Sequence, residues 1–416
     1  MFCKRLVSIL LGLSLLGHLA MAQEVADTVP LMQDMPDMSA SMVVEPRILW
    51  PGENWEMGQL PGQSEGVVHS LVEAAMAGTD EDLMGETRQI VIIHKGQLVL
   101  EAYAPGFEAE TRLVSWSMAK SITQALIGRA VQQGLIEGID APLPSIWDAS
   151  DPRAQISWRQ WMSMTDGLDY REVGEQDLSQ NDVVQMMFGP GRFDMLGYIQ
   201  GLPLLHEPGT HWNYSTAAYH MLGHGLAQTL HQHSQKGAGD ASKPFQDMPA
   251  SEKKAALRDW IEANLFAPLG MSAQAEFDAA GTLLAGSLVY ASARDFARFG
   301  YLYLQEGLWQ GERLLPEDWV NLATRAHVDT GTNVYGAGWW ITPGAGQMPS
   351  HSQSAYSPPY DAYHAGGSEG QTLWIVPSRD LVIVRLGLME NEPRNWAALY
   401  EWNQKIARAF PEKSGQ

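Results

Sequence analysis

Two pairs of β-forming runs stand at opposite ends of the sequence, and no other feature constrains the fold as much. On the N-terminal side, Ile90-Val91-Ile92-Ile93 and Gln97-Leu98-Val99-Leu100 flank the turn His94-Lys95-Gly96. Near the C-terminus, Thr372-Leu373-Trp374-Ile375-Val376 and Leu381-Val382-Ile383-Val384-Arg385-Leu386 flank Pro377-Ser378-Arg379-Asp380. Aliphatic and β-branched runs around a short turn predict hairpins. Between the hairpins the chain reads mostly as helix. One antiparallel sheet built from both chain ends, flanked by helices and with a helical region inserted in its middle, is therefore expected: an α+β fold. The sheet part is expected over about 60–115 and 330–416, the helical part over about 117–325. Amphipathic helices are expected over 65–77, with Ser64 as N-cap, and over 396–410. The polar stretch 233–252 reads as an exposed loop.

The globular domain is expected over 46–416. Residues 1–22 read as a signal peptide. Lys4 and Arg5 form its basic region, 6–19 its apolar region, and Ala20-Met21-Ala22 its small-x-small cleavage site. The apolar stretch is short for a membrane span, so an exported protein, periplasmic or secreted, is expected, with no stable membrane insertion after cleavage. Cys3 is the single cysteine and precedes the apolar region. A chain cleaved after Ala22 would have no disulfide, no thiol nucleophile and no cysteine metal site. Residues 23–45, acidic and rich in Met without a period, read as a disordered leader. The formal charge is −21. It becomes −23 without Lys4 and Arg5, because 1–22 contain no acid. That excess argues against nucleic acid or anionic lipid as partner.

The string Ser-x-x-Lys occurs twice. Ser251-Glu252-Lys253-Lys254 lies in a charged stretch with no apolar face and reads as a solvated helix start. Ser117-Met118-Ala119-Lys120 opens a helix with apolar Ile122, Ala125, Leu126, Ala130 and Val131, closed by Gly134. Residues three apart share a helix face, so hydroxyl and amine can meet. Free N–H groups at the helix start can hold an oxyanion. Lys120 must be neutral part of the time to act as base. Its ordinary pKa is about 10.4, and burial and the helix dipole both depress it.

Other segments follow in order. They are Ser115-Trp116-Ser117-Met118-Ala119-Lys120-Ser121; Gly134-Leu135-Ile136 with Asp140; Ser157-Trp158-Arg159-Gln160-Trp161 running to Met164-Thr165-Asp166-Gly167-Leu168; and Pro208-Gly209-Thr210-His211-Trp212-Asn213-Tyr214-Ser215. Then come Pro268-Leu269-Gly270-Met271, Ala293-Arg294-Asp295 with Phe299-Gly300, and Tyr335-Gly336-Ala337-Gly338-Trp339-Trp340. From about residue 86 to 395 the chain thereby resembles the serine β-lactamase-related family. That family includes class C β-lactamases, DD-peptidases, esterases and 6-aminohexanoate-oligomer (nylon-oligomer) hydrolases.

The resemblance implies a β-lactamase/DD-peptidase-like fold, Ser117 as nucleophile, Lys120 as base and Tyr214 as the third catalytic group. A cation near Tyr214 would favour its phenolate. Where the family usually has Tyr-x-Asn, this chain has Tyr214-Ser215-Thr216, without the amide that grips a β-lactam. Where the family has Lys-Thr-Gly or His-x-Gly on a sheet edge, this chain offers two registers. His364-Ala365-Gly366 would take its second oxyanion N–H from Gly367. Ala365-Gly366-Gly367, which is preferred, would take it from Ser368. Either way the carboxylate-anchoring Lys is absent. The implied substrate is a small amide or ester, with no cofactor or metal required. The rivals are a class C-type β-lactamase or DD-peptidase and a non-catalytic acylated β-lactam sensor.

Three constellations carry less. His220 and His224, with His231 and His233 nearby, have zinc-like spacing, but position 221 is Met where the metalloprotease motif needs Glu. Asp166, Asp169 and Glu172 are candidates to assist a deacylating water. Trp158, Trp161 and Trp212 could line a pocket or pack in the core. The sequence does not settle the oligomeric state.

Overall fold

The computed structural model describes residues 50–51, 55–78, 83–172, 177–236, 244–326, 330, 334–341, 359 and 361–413. The expected signal peptide and leader lie outside the described residues. The main elements are α1 (Gly62–Ala77), β1 (Glu86–His94), β2 (Gln97–Tyr103), β3 (Leu113–Val114), α2 (Ala119–Gln132), α3 (Thr216–Ser234) and α4 (Ala250–Ile261). They continue with β4 (Gln274–Ala275), β5 (Val289–Ala291), α5 (Ala293–Leu304), β6 (Trp340–Ile341), β7 (Tyr363–Gly367), β8 (Gln371–Val376), β9 (Leu381–Leu388) and α6 (Pro393–Ala409).

The main sheet has the order β2-β1-β9-β8-β7-β6 and is antiparallel at each pairing. The two hairpins read from the sequence meet at its centre, where β1 pairs with β9 from Glu86↔Leu388 to His94↔Leu381. Both faces are covered, so the central strands are apolar on successive residues and not on alternate ones. Val91, Ile93, Leu373, Ile375, Val382 and Val384 join the larger core with Ile122 and Leu126 of α2 and Phe296 and Phe299 of α5. Their neighbours Ile90, Ile92, Trp374, Val376, Leu381 and Ile383 join a second core under α1 and α6, with Val68, Val72, Trp396, Leu399, Trp402 and Ile406. Among the described residues no helix is long and apolar enough to cross a membrane.

Details differ from the sequence reading. Ser64 does not cap α1. The helix begins three residues earlier, at Gly62 after Pro61, and the buried Ser64 hydroxyl donates to the Ala409 carbonyl of α6 at 2.8 Å. The tertiary partner outcompeted the local cap. Gly134 does follow α2, at φ 70°, and donates its N–H to the Val131 carbonyl. The expected 233–252 loop is shorter, since α3 runs to Ser234 and α4 begins at Ala250.

Candidate active site

The site lies where α2 begins, beside the end of β7. Ser115, Trp116 and Ser117 form a tight turn before α2, and Trp116 takes φ 44°. A left-handed backbone costs a non-glycine residue about 1–2 kcal/mol, so its surroundings must hold it. The Trp116 indole donates to Glu369 Oε2 at 2.9 Å, and the buried Ser115 hydroxyl donates to the Trp116 carbonyl at 2.9 Å while accepting from the Val289 N–H at 3.0 Å. Such strain clusters at functional turns. Here it sets the half-exposed Ser117 directly above the first residues of α2.

Lys120 is 1% exposed. Its Nζ lies 3.1 Å from Ser117 Oγ, 2.9 Å from Thr216 Oγ1 and 2.8 Å from the Gly286 carbonyl. Burial lowers its pKa to about 8, against an opposing pull from the Glu172 carboxylate. The ammonium can donate to all three oxygens, and the neutral amine fits the same shell. Thr216 Oγ1 donates its proton to Glu172 Oε1 at 2.6 Å, so it can only accept from Lys120. A neutral amine has two N–H bonds, which Thr216 and Gly286 take. The remaining lone pair faces the Ser117 hydroxyl.

Tyr214 is buried beside both residues. Its ring centroid is 4.9 Å from Lys120 Nζ, and its hydroxyl faces Ser117. The expected phenolate is not what this setting favours. Burial pushes the phenol well above its ordinary pKa, Tyr335 and Glu172 push the same way, and only Ser117 opposes them. The cause is the aromatic wall: Trp340 stacks on Tyr214 at 5.4 Å, with Tyr335 and Trp212 edge-on at 5.9 and 6.5 Å. Trp212 therefore borders the site, whereas Trp158 and Trp161 are core residues, the latter stacked on Trp147.

The end of β7 closes the opposite side. A Cβ at Gly367 would stand 2.2 Å from the Ser115 carbonyl oxygen and 3.2 Å from the Ser117 nitrogen, so this position must be glycine. Gly366 has 3.6 Å of clearance. This geometry fits the register Ala365-Gly366-Gly367. Alternate strand residues face opposite sides, so Ala365 shares the Ser117 side with Gly367. His364 lies on the other face of β7 from Ala365 and Gly367: its ring stacks between Trp374 at 4.8 Å and Trp340 at 6.5 Å, with Nε2 3.3 Å from the Tyr400 hydroxyl. Ser368, next after Gly367, opens the turn Ser368–Gly370 that carries Glu369.

Three neighbours of Lys120 were misread or missed. Thr216 looked like a lost substrate grip, yet its side chain turns inward. Glu172 was a candidate for a water, but both carboxylate oxygens engage Thr216, Oε2 accepting its N–H at 2.8 Å at the start of α3. Gly286 carried no sequence signal. The histidine pair separates: the Gly286 N–H donates to His220 Nδ1 at 3.4 Å, and His224 packs on Phe245. Burial lowers the His220 pKa to about 3, with Lys120 adding to the effect. Asp166 is buried and accepts from the Leu168 N–H, and burial raises its pKa to about 6. Among the described residues no group of three or more His, Cys, Asp or Glu could hold a metal ion.

A serine at a strained turn, a buried amine at hydrogen-bond distance and a phenol beside both is an arrangement for acyl transfer. The family model described as Beta-lactamase matches residues 77–392, well over half of the chain, and the protein belongs to that family. Solved structures share its fold. A Bacillus anthracis protein provisionally described as a 6-aminohexanoate-dimer hydrolase is 20% identical, with TM-score 0.61, covering 87% of this chain and 89% of its own. EstCE1, a hydrolase with promiscuous acyltransferase activity, is 17% identical, with TM-score 0.56 and coverage of 82% and 98%. A penicillin-binding protein homologue from Caulobacter crescentus is 14% identical, with TM-score 0.52 and coverage of 83% and 98%.

Proposed function

We propose that this protein is an exported serine hydrolase, periplasmic or secreted, that cleaves a small amide or ester through an acyl intermediate on Ser117. The observation that carries the reading is the 3.1 Å approach of Ser117 Oγ to the Nζ of a fully buried Lys120. Neutral Lys120 takes the Ser117 proton as Oγ attacks the carbonyl. The Ser117 N–H and the N–H of Ser368 hold the oxyanion. Tyr214, kept as the phenol, gives its proton to the leaving group and regains one from Lys120. Water then retraces the path to release the acyl group.

The 6-aminohexanoate-oligomer hydrolase or esterase type is favoured over a β-lactamase. Thr216 has no amide and is committed to Lys120 and Glu172. Ala365 holds the strand position where penicillin-recognising enzymes anchor a carboxylate. The acidic chain disfavours polyanionic partners.

A fluorophosphonate probe applied to wild type and Ser117→Ala tests the nucleophile: labelling should vanish in the variant, and equal labelling refutes the assignment. Turnover of a short p-nitrophenyl ester, a 6-aminohexanoate dimer and nitrocefin tests the class. Nitrocefin turnover far above the other two would move the protein to the β-lactamases.

A further inference from the structure

Lys120 has a proton acceptor behind it that the proposed reaction does not use. Three groups lie in line: Lys120 Nζ donates to Thr216 Oγ1 at 2.9 Å, and Thr216 Oγ1 donates to Glu172 Oε1 at 2.6 Å. All three side chains are buried, with Thr216 fully so and Glu172 at 4% exposure. An asparagine at position 216 would accept from the lysine but could not pass a proton on. A hydroxyl can do both.

We propose that Thr216 and Glu172 form a proton-holding pair that generates neutral Lys120 inside the closed site. The Lys120 ammonium gives one proton to Thr216 Oγ1 as Thr216 gives its own to Glu172 Oε1. Lysine ends as the amine, threonine is again a hydroxyl, and glutamate is the carboxylic acid. Net charge is zero before and after. An ion pair becomes a neutral pair, and the low-dielectric interior favours that change. Neither residue touches the substrate; both act by placing the proton on or off Lys120. The Glu172 carboxylate acts on Lys120, Tyr170, Tyr214 and Tyr335. Lys120 is the one cation of the four. The proposal rests on Ser117 and Lys120 acting as nucleophile and base.

The pair has a pH signature. When two sites share one proton, its division between them does not change with pH until a second proton binds or the first leaves. The fraction of neutral Lys120 then stays constant below the pH at which an isolated lysine would become charged. The readout is kcat/KM for p-nitrophenyl acetate from pH 6 to 9.5, with Ser117→Ala as background. Wild type should be flat between pH 6 and 8. Glu172→Gln should instead rise about tenfold per pH unit until its lysine is neutral, falling at least tenfold below wild type at pH 6 and converging near pH 9. If Glu172 acts only through its field, the opposite sign follows. Its negative charge holds Lys120 protonated, so Glu172→Gln would equal or exceed wild type at pH 6, and the proposal is overturned.

A second pair of variants decides if Glu172→Gln fails to fold. Thr216→Ser should keep the flat profile. Thr216→Asn should take the sloping one. A flat profile in Thr216→Asn overturns the relay. Failure of the relay leaves Ser117 labelling by fluorophosphonate intact, whereas loss of the underlying reading shows as labelling that survives Ser117→Ala.

Discussion

Two helix starts in this chain carry the same Ser-x-x-Lys string, and only one of them buries its lysine against its serine. At α4, Ser251 is exposed, Lys254 is half-buried, and Lys253 donates to the Gln246 carbonyl and lies over the Phe245 ring. At α2, the same spacing sets Ser117 on a strained turn and places Lys120 in the core between α3 and the Gly286 carbonyl. Spacing brings two side chains to one face. Burial and the partners at the far end of the lysine decide whether it is a base or a solvated cation.

The comparison breaks first at the nucleophile. Ser117→Ala should lower ester hydrolysis by about 10³-fold or more, and Ser251→Ala should leave it unchanged within twofold, read as initial rates. Comparable losses in both would end the distinction. Lys120→Met should cost about 10²–10⁴-fold in kcat, against no change for Lys254→Met.

Stability should separate the same two lysines by its dependence on pH. Lys120 has its pKa lowered from 10.5 to about 8 in the folded chain, so the unfolded chain holds more protons between those values. Stability contributed by this group therefore rises with pH from about 8 to about 10.5 and is missing below 8. Thermal melts should show wild type gaining stability relative to Lys120→Met between pH 7 and pH 10, by up to about 3 kcal/mol. Lys254→Met should melt with wild type at both. A Lys120→Met variant less stable than wild type at pH 7 would show that its three hydrogen bonds outweigh the desolvation.

Two smaller effects sharpen what surrounds Ser117. Gly367→Ala must push the Ser115 carbonyl away from a 2.2 Å contact. It should lower kcat about tenfold or more, because a misplacement near 1 Å is costly at the reacting centre. Gly366→Ala, with room for its methyl, should lose less than threefold. Trp116→Phe removes the 2.9 Å bond to Glu369. It should cost about three- to fivefold, the worth of one hydrogen bond of about 1 kcal/mol.

Much of the frame was legible in the residues. Runs as apolar as 90–93 and 381–384 around short turns predicted two hairpins at opposite chain ends and one sheet built from both, and the structure joins them at β1 and β9. Ser117, Lys120 and Tyr214 were legible by their flanking segments, and the structure brings them together. Less legible was any contact that depends on which way a side chain turns. His364 stood at the substrate-facing position only in the less favoured register, and the alternation of β7, with Gly367 pressed on the Ser117 turn, puts it on the other face of the strand from Ala365 and Gly367. Ser64 looked like a cap and became a tie to α6.

The sequence by itself determined most of the strands and helices, because periodicity and local spacing are properties of neighbours along the chain, and its resemblance to the family pointed to Ser117, Lys120 and Tyr214. Only the tertiary structure decided the state of the base. Thr216 lies 96 residues from Lys120 and Gly286 lies 166 away. Desolvation and hydrogen bonding by groups so distant set a lysine's charge, and neither can be read from the four residues Ser117 to Lys120.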